Sequence, residues 1–196
     1  MANEYATSTE LKSTLELTGE TYADADVALA LTAASRSVDH VAKRRFWLDA
    51  NANSVRYYSP RSSALVEIDD LVELTELATG TGDGSFGTVW TENTDFVLEP
   101  LNAEADGRPW TVVRPLLGAL PTARRSVRVT GQFGWADVPE EVKEATMILA
   151  SRLLRRARDA PFGALNMGFE GVVARVTRTD PDVCNLLGPY IRPLVR

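Results

Sequence analysis

The hydrophobic periodicity of this chain switches twice, and the switching constrains its fold more than any other feature. From about residue 24 to 45 the apolar positions Val27, Ala30, Leu31, Ala34, Val38 and Val41 recur at three- and four-residue spacing, within roughly 100° on a helical wheel. Between 53 and 135, β-branched and aromatic residues alternate with polar ones, and Gly, Asn and Pro punctuate them. The expected strands are 54–58, 65–68, 71–77, 88–90, 96–99, 110–114 and 126–130. Helical period then returns. Asp137, Pro139, Glu140 and Glu141 form an N-terminal helix signal, and Arg155, Arg156 and Arg158 complement the far end, which Pro161 and Gly163 close.

Two shorter helices flank this pattern. Thr7 and Glu10 stand in capping-box spacing ahead of Leu11, Leu15 and Leu17, with Gly19 as the stop. Near the other end, a strand is expected at 172–177 after the glycine-spaced stretch PFGALNMGFEG. Asp180, Pro181 and Asp182 then start a helix that Gly188 and Pro189 end. The expected fold is α+β: a mainly helical subunit of long antiparallel helices (1–52 and 136–196) with a small antiparallel β subdomain (53–135) inserted. At 196 residues the chain can bury a sizeable core without staples.

Two helical faces lack an obvious partner within one chain. On the helix from 24, the side away from the apolar stripe carries Leu29, Ala33, Arg36 and His40. On the helix from 140, Val142, Ala145, Leu149, Ala150, Leu153 and Ala157 form one stripe. Met147 and Leu154 lie about 120° from its centre, and Ile148 lies on the far side. An apolar surface that wide must be covered more than once, which points to a neighbouring subunit.

Little in the sequence points to catalysis. Cys184 is the only cysteine, which rules out an intrachain disulfide and any Cys-based zinc site built from one chain. His40 is the only histidine, so no His-pair metal site exists. The stretch TGTGDGSFG (79–87) has the glycines of a phosphate loop, but β pattern follows it where a helix N-terminus is required, so it reads as a hairpin tip. Glu67, Asp69 and Asp70 are expected in a solvated turn between strands. Charge is segregated: residues 61–120 hold eleven acids against three bases, and 121–196 hold twelve bases against eight acids. That acidic middle and a net charge of −6 disfavour sequence-specific DNA binding. The acidic, polar N-terminus, with no apolar run near roughly 18 residues, points to a soluble chain made and kept in a cytoplasm, without membrane contact.

Three pieces carry a resemblance. The segment AASRSVDHVAKRRF (33–46) resembles the ASR-x-x-D-x-x-x-x-R-x-F element of tailed-bacteriophage head-to-tail connector (adaptor) proteins, with Ala34, Ser35, Arg36, Asp39, Arg44 and Phe46 at its positions. The segment 126–156 resembles the V-T-G-x-F-G-x-x-x-V-P-x-x-V-x-x-A block of the same family, and DPDVCNLLGPYIR (180–192) resembles its terminal element. The pieces occur in the family's order.

The resemblance implies a non-enzymatic structural virion protein with no cofactor. It implies a homo-oligomeric ring, commonly of twelve copies, beneath the portal protein, assembled in the host cytoplasm. The ring extends a channel through which DNA passes without sequence-specific binding, and it presents a surface to the next neck, stopper or tail protein. On this reading Arg36, His40, Ile148, Arg152, Arg155 and Arg156 are expected at the subunit interface, the arginines of the later helix meeting a neighbour's carboxylates. Asp182, Leu186, Leu187, Tyr190, Ile191, Arg192 and Arg196 are expected to dock on the portal, as a short apolar helix with a basic end and little core of its own to join. The competing readings are another neck or tail-completion ring protein and, more distantly, a small enzyme or a DNA-binding module.

Overall fold

The computed structural model describes residues 3–16, 21–159 and 181–192. The expected strand at 172–177, the glycine-spaced stretch and Arg196 lie outside them. The chain forms two compact units, Met1–Arg45 with Val138–Arg196, and Phe46–Asp137.

The first unit is helical. Helix α1 (Ser8–Glu16) begins with the anticipated capping box: the Thr7 amide donates to Glu10 Oε2 at 2.6 Å and the Glu10 amide donates to Thr7 Oγ1 at 3.2 Å. Helix α2 (Asp24–Ala42) ends where Lys43 turns left-handed (φ 57°), and helix α3 spans Glu140–Asp159. Their shared core joins Leu11 and Leu15 to Val27, Ala30, Leu31 and Ala34 of α2 and to Ala150 and Leu154 of α3. The start of α2 and the end of α3 line one groove, so the two helices run antiparallel. Helix α4 (Pro181–Leu187) continues into a single 3-10 turn, Gly188–Tyr190.

The second unit overturns the expectation of a mainly helical subunit with a small insertion. It is one six-stranded antiparallel sheet of β1 (Ser54–Tyr58), β2 (Val66–Thr79), β3 (Thr88–Trp90), β4 (Phe96–Glu99), β5 (Trp110–Pro115) and β6 (Val127–Phe133). The strand order is β1-β6-β2-β5-β4, and β3 pairs with β2 beyond the end of β5. The sheet has its own core of Val66, Ile68, Leu71, Leu77, Phe96, Leu98, Val113, Leu120, Val127, Val129 and Phe133. A core of that size makes the sheet an equal half of the protein, not a decoration on helices.

The physical reason lies in β2. It was expected as two short strands separated by a solvated turn at Asp69 and Asp70, and it is one strand of 14 residues. Register shifts between Glu67 and Leu71, Leu71 and Glu73, and Leu74 and Glu76 break strict alternation. A bulge adds a residue without ending the strand, so the buried parity changes after Asp70 and the sequence imitates a turn.

Candidate functional site

Ser35, Arg36 and Asp39 of the motif at 34–46 converge on the chain's own N-terminal segment. Ser35 is buried on α2 and its Oγ accepts the Tyr5 amide at 3.2 Å. Asp39 Oδ1 accepts the Tyr5 hydroxyl, and Arg36 donates to the Asn3 carbonyl at 2.7 Å and pairs with Asp39 at 3.3 Å. The Arg36 guanidinium also lies 5.8 Å from the Tyr5 ring centroid. One turn earlier, Thr32 donates to Glu4 at 2.7 Å. Burial pushes the Asp39 carboxyl up, opposed by the Tyr5 hydroxyl and by Arg36 and Arg45. This segment-clamping role was not legible at 3–6, because Asn3, Glu4 and Tyr5 carry no period of their own.

The second motif is equally structural. A side chain at Gly131 would place its Cβ 2.2 Å from the Glu73 carbonyl oxygen on β2. At Gly134 it would lie 2.0 Å from the Trp47 carbonyl, on a backbone with φ +120°. Phe133, between them, is fully buried with Arg56 held 4.0 Å over its ring. Arg56 itself bridges Asp49 at 2.6 Å and Asp69 at 2.9 Å. The Tyr58 hydroxyl donates to Asp69 at 3.1 Å, and burial beside that carboxylate pushes the phenol up. Asp70 is buried and accepts the Trp135 indole N–H at 3.0 Å. Asp69 and Asp70, expected in a solvated turn, therefore serve as acceptors that tie β2 to its neighbours, while Glu67 is exposed.

The residues expected at a subunit interface are spread over both long helices. Arg36 and His40 line a concavity of about 370 Å³ with Asp39, Lys43, Arg44 and Arg45 at the C-terminal end of α2. Arg152, Arg155 and Arg156 are exposed on the C-terminal half of α3. Ile148 is half-buried. Between the start of α2 and the end of α3 lies a groove of about 660 Å³. Its lining includes Tyr22, Leu29, Ala33, Leu153 and Ala157, with Asp26 and Arg158 also present, and Leu29 is 71% exposed. The wide apolar surface read from the helical wheel is therefore only partly covered by the chain's own described residues.

The segment expected to dock elsewhere is divided between core and surface. Val183, Leu187 and Tyr190 are buried, Tyr190 donates to Glu141 of α3 at 2.9 Å, and the Arg192 amide donates to the Ala42 carbonyl at 2.9 Å. The expectation that this segment has little core to join is thus corrected, because it packs on α3. Asp182 and Ile191 remain exposed, while Leu186 and Arg192 are half-buried.

The stretch 79–87 forms the connection of a β2–β3 hairpin, with Thr79 paired to Thr88 and Leu77 to Trp90. Within it the Asp83 carboxylate accepts both the amide of Ser85, at 2.8 Å, and its hydroxyl, at 2.6 Å. A strand follows the loop, where a phosphate loop requires a helix N-terminus. Among the described residues, no group of three or more His, Cys, Asp or Glu side chains is arranged to hold a metal ion.

No protein-family model matches the chain, and no curated protein matches it. Solved structures do. A chain in the neck of an empty gene transfer agent particle, computed with sixfold symmetry, aligns over 100% of this chain and 97% of its own length at 18% identity and a TM-score of 0.55. A chain in the virion of a native gene transfer agent particle aligns over 98% of this chain and 92% of its own at 17% identity and a TM-score of 0.52. The likeness establishes a shared fold that runs through both units.

Proposed function

We propose that the protein is a structural subunit of the neck of a tailed-phage-like particle and, within the neck, the head-to-tail connector. The observation that carries this reading is the end-to-end likeness to a gene transfer agent neck chain, which leaves no large part of either chain outside the shared fold. The resemblance of 33–46, 126–156 and 180–192 to connector proteins supports it independently. The first two of these blocks fall on residues whose job is to hold the subunit together: the Tyr5 clamp on α2 and the close approach of β6 to β2. A subunit of a large assembly needs such stiffness more than it needs a reactive centre.

On this reading the protein acts without catalysis or cofactor. It resides in the virion, where twelve copies form a ring on the portal. The ring extends the DNA channel and offers a surface to the next neck or tail protein. A head-to-tail contact that closes on itself produces such a ring from two different surface patches of one chain. The partly uncovered groove on α2 and α3 is one candidate patch.

The test is the mass of the purified protein by light scattering, with negative-stain imaging, alone and with the portal protein of the same particle. Rings with a central hole wide enough for duplex DNA, formed alone or on the portal, are expected. A monomer indifferent to portal would overturn the reading.

A further inference from the structure

The groove on α2 and α3 needs an occupant, and the sheet unit carries a feature of matching chemistry. Leu116 and Leu117 follow β5 as adjacent exposed leucines, 51% and 66% accessible. Both are fixed: their amides donate to the Asp95 carbonyl at 2.8 and 3.3 Å, tying the turn to the start of β4. The Asp95 carboxylate accepts the Thr91 amide at 2.7 Å, and Glu92 is exposed beside it. The turn is thus a rigid apolar knob with acids at its base.

The groove is complementary to it. Its floor is apolar, and at about 660 Å³ it has several times the roughly 150 Å³ that accommodates one benzene ring. Arg158 lines it, 5.4 Å from the Tyr22 ring centroid, and Arg155 stands one turn earlier on the same helix. Among the described residues Asp26 is the one acid on the lining, on α2 across from Arg158. Monomeric proteins rarely leave a contiguous apolar patch of this kind uncovered.

We infer that the groove on α2 and α3 of one copy receives the Leu116–Leu117 turn of a second copy, with Glu92 and Asp95 facing Arg155 and Arg158. The inference rests on the ring reading above and names the two patches of its heterologous contact.

The experiment uses full-length chains carrying Cys184→Ser, which removes the lone thiol. One tagged chain carries Leu29→Cys and an untagged chain carries Leu117→Cys. The two are mixed, assembled with portal protein and treated with a short bismaleimide. A tagged–untagged covalent dimer is expected as the main product within rings, and Leu117→Asp in an otherwise unaltered chain should lower ring yield about tenfold, as loss of a central apolar anchor does. Rings that form without this cross-link would overturn the inference and leave the neck reading standing. Absence of rings with every chain, unaltered protein included, would overturn the neck reading and the inference with it. Failure of Leu29→Cys to react with maleimide in free protein would show that the chain covers its own groove, which also overturns the inference.

Discussion

The indole N–H of Trp135 donates to the carboxylate of buried Asp70 at 3.0 Å, joining the end of β6 to the middle of β2. The Gly134 amide donates to the Asp70 carbonyl at 2.8 Å alongside it, and the Trp135 ring packs on Phe46 with centroids 5.2 Å apart. Removing the indole donor leaves a buried carboxylate short of a hydrogen bond, which costs about 1–3 kcal/mol. Trp135→Phe should therefore lower the unfolding free energy by that much, read as a lower urea midpoint at unchanged slope, and Trp135→Phe combined with Asp70→Leu should recover part of it. No loss in the single variant would show that Asp70 does not depend on Trp135.

Gly134 has no room for a side chain. Alanine there would meet the Trp47 carbonyl at 2.0 Å on a backbone with φ +120°. Gly134→Ala should destabilise the protein by about 2 kcal/mol or more, read as a lower melting temperature.

The capping box of α1 gives a signed pH dependence. The Thr7 amide, and after it the Thr7 hydroxyl, hold the Glu10 carboxyl below its ordinary value of 4.5. A carboxylate with a depressed folded value contributes stability that is present above its unfolded value and lost as pH falls through the folded one. Helical circular dichroism should therefore decline on acidification below about pH 4.5. Glu10→Gln should remove that component, and Thr7→Ala should cost about 1 kcal/mol at neutral pH.

Charge reversal on α3 tests assembly. Arg152, Arg155 and Arg156 are exposed, so Arg155→Glu with Arg156→Glu should leave the melting temperature within a few degrees of the original. The same pair should reduce ring formation at low salt, an effect that weakens as salt screens the contact. Unchanged assembly across salt would remove these arginines from the interface.

The C-terminal segment separates two roles. Leu187 is fully buried, and Leu187→Ala should destabilise the helical unit by about 2–5 kcal/mol. Ile191 is 45% exposed, and Ile191→Asp should weaken portal binding at least tenfold while the melting temperature holds. Full binding by that variant would show that this segment serves the fold alone.

Much of the fold was legible from residues, and the misreadings have identifiable causes. The helix from 24 was plain because Val27, Ala30, Leu31, Ala34 and Val38 keep one phase, and all five are buried. At its end the burial passes to Ala42, and Val41 is 39% exposed, because a helix of 3.6 residues per turn drifts off any fixed three-four pattern. The weight of the sheet was misjudged because bulges in β2 disguise one 14-residue strand as two short ones with a turn.

By itself the sequence determined the four helices, every described strand except the unbroken β2, the capping box at Thr7 and Glu10 and the excess of apolar surface on two helices. These follow from local period and residue type, which neighbours in the chain express without help. Only the tertiary structure decided that Asp70 is a buried acceptor, that the motif at 34–39 clamps Tyr5, that Leu187 and Tyr190 belong to the core, and that Leu29 and Leu153 open onto a groove. Each of these depends on residues distant in sequence being brought within a few ångströms. Burial and hydrogen bonding are properties of that encounter and not of either residue alone.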